Sequence, residues 1–167
     1  KREQKEVAAS VDLDTVAAAA KRDDGIIVEK SFKFDALEVD ISDLEVHTEE
    51  FGKSSGLIRG MCAGFKERGY NIGGFNAASM SRVLSGSGLS SSAAYEVLIG
   101  TILNHLYNDG KVSPVEVAKI AQYAENKYFG KPCGLLDQTA SSVGSFITID
   151  FKDPSRPIIN KVDFDFA

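Results

Sequence analysis

Residues Leu84 to Tyr95 read LSGSGLSSSAAY and link an apolar segment to a helical pattern. Gly86 and Gly88 permit positive φ angles and a close approach of ligand to backbone, and three serines then open the helix. The first N–H groups of a helix have no intrahelical partner, and the helix dipole adds partial positive charge there. The stretch therefore predicts an anion site, suited to phosphate, where a loop feeds a helix.

Other interpretations of this stretch compete with a phosphate site. Sequence rich in Gly and Ser is typical of flexible linkers, but a linker joins independent units. Here an apolar segment leads in, and Leu98, Ile102 and Leu106 follow at helical spacing. The stretch also lacks the Lys of a P-loop, the third Gly of the dinucleotide fingerprint and a G-x-S-x-G nucleophile elbow. We therefore expect a phosphate loop of another kind.

Length and composition are those of one ordinary globular domain. The chain has 167 residues, of which 43% are hydrophobic and 26% charged. A net charge of −5 without Lys/Arg clusters argues against a nucleic-acid partner, and no apolar run approaches the ~20 residues of a membrane span. Cys62 and Cys133 are too few for a disulfide framework, so we expect reduced thiols and a cytoplasmic protein.

Hydrophobic periodicity and turn residues predict a mixed α/β chain with one core. The segment 8–20 fits strand or helix, and its alternation of Val11, Leu13 and Thr15 favours a strand at its start. We expect the first three strands to form an antiparallel meander. Ser113 to Glu116 combines an N-cap, a first-turn proline and an acidic third position, and marks a helix start. The predicted strands are 8–20, 26–34, 37–41, 75–84, 145–150 and 158–166, and the predicted helices are 57–68, 90–108, 114–128 and 135–142.

Two blocks of the sequence resemble the GHMP kinases, the superfamily of galactokinase, homoserine kinase and mevalonate kinase. The first block runs from Gly86 to Ala94; the second, from Ala124 to Gln138, is similar to the galactokinase branch in particular. The resemblance implies the ribosomal protein S5 domain 2-like amino-terminal lobe of these kinases, a two-layer α+β fold in which a mixed sheet is backed by helices. We expect residues 1–167 to be this ATP-binding domain, as a piece of a longer two-lobe kinase.

The resemblance also implies roles for individual residues. Asp137 matches the catalytic aspartate, and Gly134 and Asp137 are expected to lie against the sugar. Ser91 and Glu125 match the two ligands of Mg²⁺. One hydroxyl and one carboxylate, completed by phosphate oxygens and waters, suit such a hard cation. The backbone expected to cradle the ATP phosphates comprises Gly86, Ser87, Gly88, Leu89, Ser90, Ser91 and Ser92.

The implied activity is phosphoryl transfer from ATP to the anomeric hydroxyl of galactose. This chemistry asks the protein for positioning and charge neutralisation more than for covalent work. The Glu-His-Thr-Asp core that grips the sugar in galactokinases has no match, because Lys1 to Glu6 stands in its place, and the carboxyl-terminal lobe is missing. We therefore expect the isolated chain to be inactive. The alternatives are a non-catalytic sugar or nucleotide sensor, a pseudo-kinase, or a GHMP kinase for another small alcohol.

Overall fold

The computed structural model describes residues 5–10, 14–83, 90–153 and 155–162, and these form an α/β structure as the periodicity predicts. A short 3₁₀ turn, Thr48–Glu50, precedes the first helix. The strands are β1 (Lys5–Ala9), β2 (Thr15–Arg22), β3 (Ile26–Ser31), β4 (Leu37–Asp40), β5 (Gly74–Ser81), β6 (Phe146–Asp150) and β7 (Ile158–Val162), and the helices are α1 (Ser54–Glu67), α2 (Ser91–Tyr107), α3 (Pro114–Lys127) and α4 (Leu136–Val143). None of the helices in these ranges has the length and apolar character needed to cross a membrane.

The strands form two sheets. A mixed four-stranded sheet has the order β2-β5-β3-β4, and an antiparallel three-stranded sheet has the order β1-β6-β7. The expected meander of β2, β3 and β4 is wrong, because β5 lies between β2 and β3, antiparallel to the first and parallel to the second. The turn after β2 does exist, and Arg22 bonds to Asp24 within it, but the same side chain reaches Asn76 on β5 at 2.8 Å. Of the three expected strands, β3 and β4 alone pair as neighbours in sequence.

Several boundaries differ from the sequence prediction. β1 lies in a charged segment that alternation does not distinguish, and the predicted strand over 8–20 is displaced to β2. The ends of the predicted strands 75–84 and 158–166, from Leu84 and from Asp163 onward, fall outside the described residues. The four helices agree with their predicted ranges to within a few residues.

The core lies between one face of the four-stranded sheet and helices α1, α2 and α3. The apolar spacing that predicts α1 also supplies most of its buried face, and the sheet contributes inward residues from β3, β4 and β5. Burial of such side chains stabilises the fold by ~1.5–3 kcal/mol each. The largest fully buried apolar members are Ile27, Ile58, Met61, Phe65, Phe75, Ile99, Leu103 and Ile120.

Two local features fix the helix that carries Glu125. Ser113 Oγ accepts a hydrogen bond from the Glu116 N–H at 3.2 Å, so the predicted N-cap of α3 is confirmed. At Gly60, α1 and α3 approach closely, because a Cβ there would lie 2.8 Å from the Ala124 Cβ. A larger side chain at Gly60 would therefore displace α3 at the residue next to Glu125.

Candidate functional site

The glycine-rich part of the predicted phosphate loop lies outside the described residues; it comprises Gly86, Ser87, Gly88 and Leu89. The structure does describe both ends of the loop. β5 ends at Ser81, and α2 begins at Ser91, where the sequence predicts a helix start. Ser90 has left-handed backbone angles, φ 55° and ψ 50°, and within the described ranges its side chain does not cap the helix. The amide end of the longest helix thus faces the point where the loop arrives.

Ser92 is the serine that contacts the predicted acidic ligand. Its Oγ donates to Glu125 Oε1 at 3.0 Å, and Glu125, on α3, is only 2% exposed. The other carboxylate oxygen, Oε2, accepts a hydrogen bond from Gln138 Nε2 at 2.6 Å. Lys131 Nζ lies 3.5 Å from Oε1 on the solvent side. The structure therefore brings Glu125 to Ser92, and the metal role expected for Ser91 stays a prediction.

A second buried acid, Glu96 on α2, lies behind this contact. Glu96 is fully buried, and its Oε2 accepts from Gln138 Nε2 at 3.4 Å. Burial, reinforced by the charge of Glu125, raises the pKa of Glu96 to about 9. In the part of the chain that the structure describes, Glu96 Oε1 and Gln138 Oε1 are buried without a hydrogen-bond partner. Burial of an oxygen without a hydrogen-bond partner lowers the free energy of unfolding, and such groups are typical of functional sites.

Sequence reasoning did not single out Glu96 or Gln138. A signal for Glu96 was present, since it occupies the apolar face of α2, three residues after Ala93 and three before Ile99. An acidic residue on a buried helix face needs a bonding partner, or its pKa rises because burial disfavours the charged form. Gln138 has no such pattern, because only the tertiary packing of α4 against α2 and α3 carries its amide inward.

Asp137, the predicted catalytic residue, sits in the first turn of α4 and is exposed. It lines a cleft of about 560 Å³ together with Ser90 and, across from it, Ala94 and Val97 of α2. The next residue, Gln138, is buried and bonds to Glu125. Of the predicted site residues that the structure describes, Ser90 and Asp137 line the same cleft, and Gln138, next to Asp137, bonds to Glu125 where α2, α3 and α4 pack together.

Gly134 lies in the segment between α3 and α4, and it is exposed. A Cβ placed on Gly134 would meet nothing within 4 Å among the described residues. The backbone there is open to a ligand that approaches from solvent, which is the situation its predicted contact with a sugar requires. No observation of a sugar bears on it, and its role stays a prediction.

The donor set suits Mg²⁺ better than a closed metal cage. Across the described ranges, no group of three or more His, Cys, Asp or Glu side chains could hold a metal ion. Mg²⁺ instead takes one or two protein oxygens and completes its octahedron with phosphate oxygens and waters. The Ser92 hydroxyl and Glu125 Oε1 are oxygens of that kind, 3.0 Å apart at the helix end where phosphates would lie. These residues therefore fit a magnesium–nucleotide ligand.

Another buried carboxylate contacts α2 from the four-stranded sheet. Glu29 of β3 is 3% exposed, and it accepts hydrogen bonds from Ser79 at 2.5 Å, from Ser31 at 2.9 Å and from the Tyr95 hydroxyl at 3.1 Å. Burial, followed by the charge of Glu29, raises the pKa of Tyr95. Both oxygens of Glu29 are thus occupied by hydroxyl donors, and the group ties β3 and β5 to the first turns of α2.

Comparison with protein families and known proteins agrees with this geometry. Residues 56–145 match the family described as GHMP kinases N terminal domain. The galactokinase of Streptomyces coelicolor is 36% identical over 157 residues, which are 91% of this chain and 39% of that protein. The galactokinase of Clostridium tetani is 44% identical over 78 residues, or 47% of this chain and 20% of that protein. The chain thus spans about two fifths or less of the length of these relatives.

Solved structures share the fold over nearly the whole chain. Lactococcus lactis galactokinase, complexed with galactose, superposes with a TM-score of 0.82 and 29% identity, and covers 95% of this chain and 42% of that one. Methanococcus jannaschii mevalonate kinase, at 15% identity, has a TM-score of 0.75 over 97% of this chain and 50% of that one. The latter likeness is one of fold, and it confirms the two-layer arrangement implied by the sequence blocks.

Proposed function

The chain belongs to the GHMP kinases, and from this premise we propose that it is the nucleotide-binding lobe of an ATP- and Mg²⁺-dependent kinase that phosphorylates the anomeric hydroxyl of galactose. The observation that carries the proposal is the contact of Ser92 with Glu125 beside the cleft that holds Asp137. A kinase of this type must gather phosphate, metal and acceptor hydroxyl at one place. The match to galactokinases over most of the chain supports the choice of sugar.

The nucleotide would lie at the amino end of α2. Backbone N–H groups at Ser90, Ser91 and Ser92, with the loop before them, would bind its phosphates. We propose that Ser92, in place of the expected Ser91, joins Glu125 in holding Mg²⁺, because these two side chains touch. When bound, Mg²⁺ neutralises charge on the phosphate oxygens. Glu125, which is 2% exposed, would offer a carboxylate oxygen to the ion.

Asp137 would act on the acceptor sugar. It lies in the first turn of α4, and its side chain is exposed in the cleft. A carboxylate so placed can accept the hydrogen bond, and then the proton, of the attacking hydroxyl. The open backbone at Gly134 would let the sugar ring approach. ATP and a soluble hexose as substrates suit the cytoplasm.

The proposal is tested in the full-length protein with a coupled assay for ADP across a panel of hexoses. We expect turnover that requires both galactose and Mg²⁺, and a loss of at least about 100-fold in kcat for Asp137→Asn. Asp109→Asn is the matched control, because Asp109 is exposed, lies in the turn after α2 and has a left-handed φ of 52° that Asn tolerates. The isolated 167-residue chain should show no turnover.

Two outcomes would contradict this function. No ADP formation with any hexose, combined with tight Mg-ATP and sugar binding, would identify a sensor or pseudo-kinase on the same fold. Turnover with a different small alcohol and none with galactose would keep the kinase and replace the substrate.

A further inference from the structure

The three buried side chains behind Ser92 form a continuous polar cluster. Glu96 on α2, Glu125 on α3 and Gln138 on α4 are each at most 2% exposed. A single amide nitrogen, Gln138 Nε2, donates to Glu125 Oε2 at 2.6 Å and lies 3.4 Å from Glu96 Oε2. A carboxylate oxygen accepts hydrogen bonds and does not donate them, so the amide nitrogen faces Glu125. The cluster therefore ties three helices together through one side chain.

The two oxygens of Glu125 have different surroundings. The inner oxygen, Oε2, is held by Gln138, whereas the outer oxygen, Oε1, faces the Ser92 hydroxyl and Lys131. Lys131 is largely exposed, and its ammonium competes for the same oxygen from the solvent side. A carboxylate held by only its outer contacts could rotate toward that lysine. The hydrogen bond at the inner oxygen opposes the rotation and keeps Oε1 beside Ser92.

Glu96 acts as the anchor of the amide. Burial raises the pKa of Glu96, which favours its protonated form beside Glu125. Among the described residues, Glu96 Oε1 and Gln138 Oε1 are both buried without a hydrogen-bond partner. Cys133 Sγ also lies 3.4 Å from Gln138 Nε2.

We infer that Gln138 is a positioning residue, whose amide, anchored on Glu96, fixes the carboxylate of Glu125 so that its outer oxygen and Ser92 Oγ face one metal ion. The inference rests on the proposed function. Gln138 follows Asp137 directly on α4, so the same short helix sets the place of the acid that faces the sugar and of the acid that faces the metal. Groups that orient a metal ligand in this way typically change metal affinity by about 10–100-fold when they are removed.

The test measures metal affinity and does not depend on turnover. Mn²⁺ is titrated into the full-length protein at saturating, non-hydrolysable ATP analogue, and free Mn²⁺ is read by electron paramagnetic resonance. Gln138→Met keeps the volume and removes the amide, and we expect Mn²⁺ binding to weaken by about 10-fold or more. Gln122→Met is the matched control, because Gln122 on α3 is a partly buried glutamine that loses one hydrogen bond, to the Cys133 carbonyl, and in the described part of the chain no hydrogen bond joins its side chain to Glu125.

A second variant guards against a folding defect. Gln138→Asn keeps the amide but shortens its reach, and should also weaken Mn²⁺ binding while it retains the thermal transition of the parent. Unchanged Mn²⁺ affinity in a folded Gln138 variant, with the parent binding normally, would overturn the inference and leave the proposed kinase intact. A parent protein that binds no Mn²⁺ with the analogue would overturn the proposed function, and this inference with it.

Discussion

Helix α2 has a buried carboxylate on each side, and the two differ in how fully they are bonded. Tyr95 points to Glu29, whose oxygens accept from three hydroxyls. The next residue, Glu96, points to the other side, where it shares one amide with Glu125 and leaves an oxygen unpaired among the described residues. Consecutive residues of one helix thus contact two buried polar groups, one fully hydrogen-bonded and one with an unpaired oxygen.

The difference separates a structural brace from a site that can take a ligand. Both oxygens of Glu29 accept hydrogen bonds from neutral hydroxyls, so a cation would have to displace these donors in order to bind. Glu125 instead turns one oxygen toward a serine hydroxyl and an exposed lysine, both of which a metal ion can displace. Burial alone therefore does not distinguish the two acids; the contact of Glu125 with Ser92 and with the exposed Lys131 does.

The largest effect should come from removing the charge of Glu125. Glu125→Gln keeps an acceptor for Gln138, but offers the metal a neutral oxygen, so we expect the Mg²⁺ concentration for half-maximal nucleotide binding to rise by at least about 10–100-fold. Thermal stability should not fall, because the variant removes a negative charge beside Glu96. A magnesium titration by calorimetry checks the first effect. An unchanged Mg²⁺ dependence would contradict a metal-binding role for Glu125 and would leave it equivalent to Glu29.

Glu29→Gln should give the reverse result. Its hydrogen bonds to Ser31, Ser79 and Tyr95 are charge-assisted, and the substitution places an N–H₂ group against hydroxyls that must then turn. We expect the free energy of unfolding to fall by about 1–3 kcal/mol. Chemical denaturation measures this loss, while Mg²⁺ dependence should match that of the parent. A metal defect in this variant would show that Glu29 is more than a brace.

Glu96 gives the stability of the protein a pH dependence. The pKa of Glu96 rises from an ordinary 4.5 to about 9 on folding, so the folded protein retains a proton that the unfolded chain releases between these values. The free energy of unfolding should therefore decrease as pH rises from about 5 to about 9. Glu96→Gln should flatten that slope, measured by denaturation without added metal. Equal slopes in the two proteins would show that Glu96 retains no extra proton in the folded state.

Local patterns were sufficient for much of the fold. The helix start at Pro114 follows from a serine cap and a first-turn proline, which act within one turn of the chain, and the start at Ser91 is marked in the sequence by a serine run. The position of β5 between β2 and β3 cannot be predicted from local patterns, because it depends on contacts between residues about 50 positions or more apart. Hydrophobic periodicity does not specify which strands pair. The turn at Arg22 resembles that of a hairpin, but Arg22 bonds to Asn76 of β5, which pairs with β2 in place of β3.

The candidate site shows the same division. The residues that resemble a kinase motif, Glu125 and Asp137, could be named from sequence, because their spacing is carried by the chain itself. Helix rotation decides whether Ser91 or Ser92 faces α3, and in the structure Ser92 bonds to Glu125. The metal role of either serine stays a prediction. Gln138 and Glu96 come together only through the packing of three helices. Their partnership could not be predicted from either segment alone.

The most direct measurement locates the metal by its effect on nearby nuclei. With Mn²⁺ and a non-hydrolysable ATP analogue bound, we predict severe paramagnetic broadening of the Ser92 backbone amide and the Gln138 side-chain amide. The side-chain amide of Asn104, which bonds to the Val112 carbonyl and lies about 18 Å from Ser92 along α2, should stay much sharper. Sharp Ser92 and Gln138 signals, with broadening centred elsewhere, would contradict a metal–nucleotide site at Glu125.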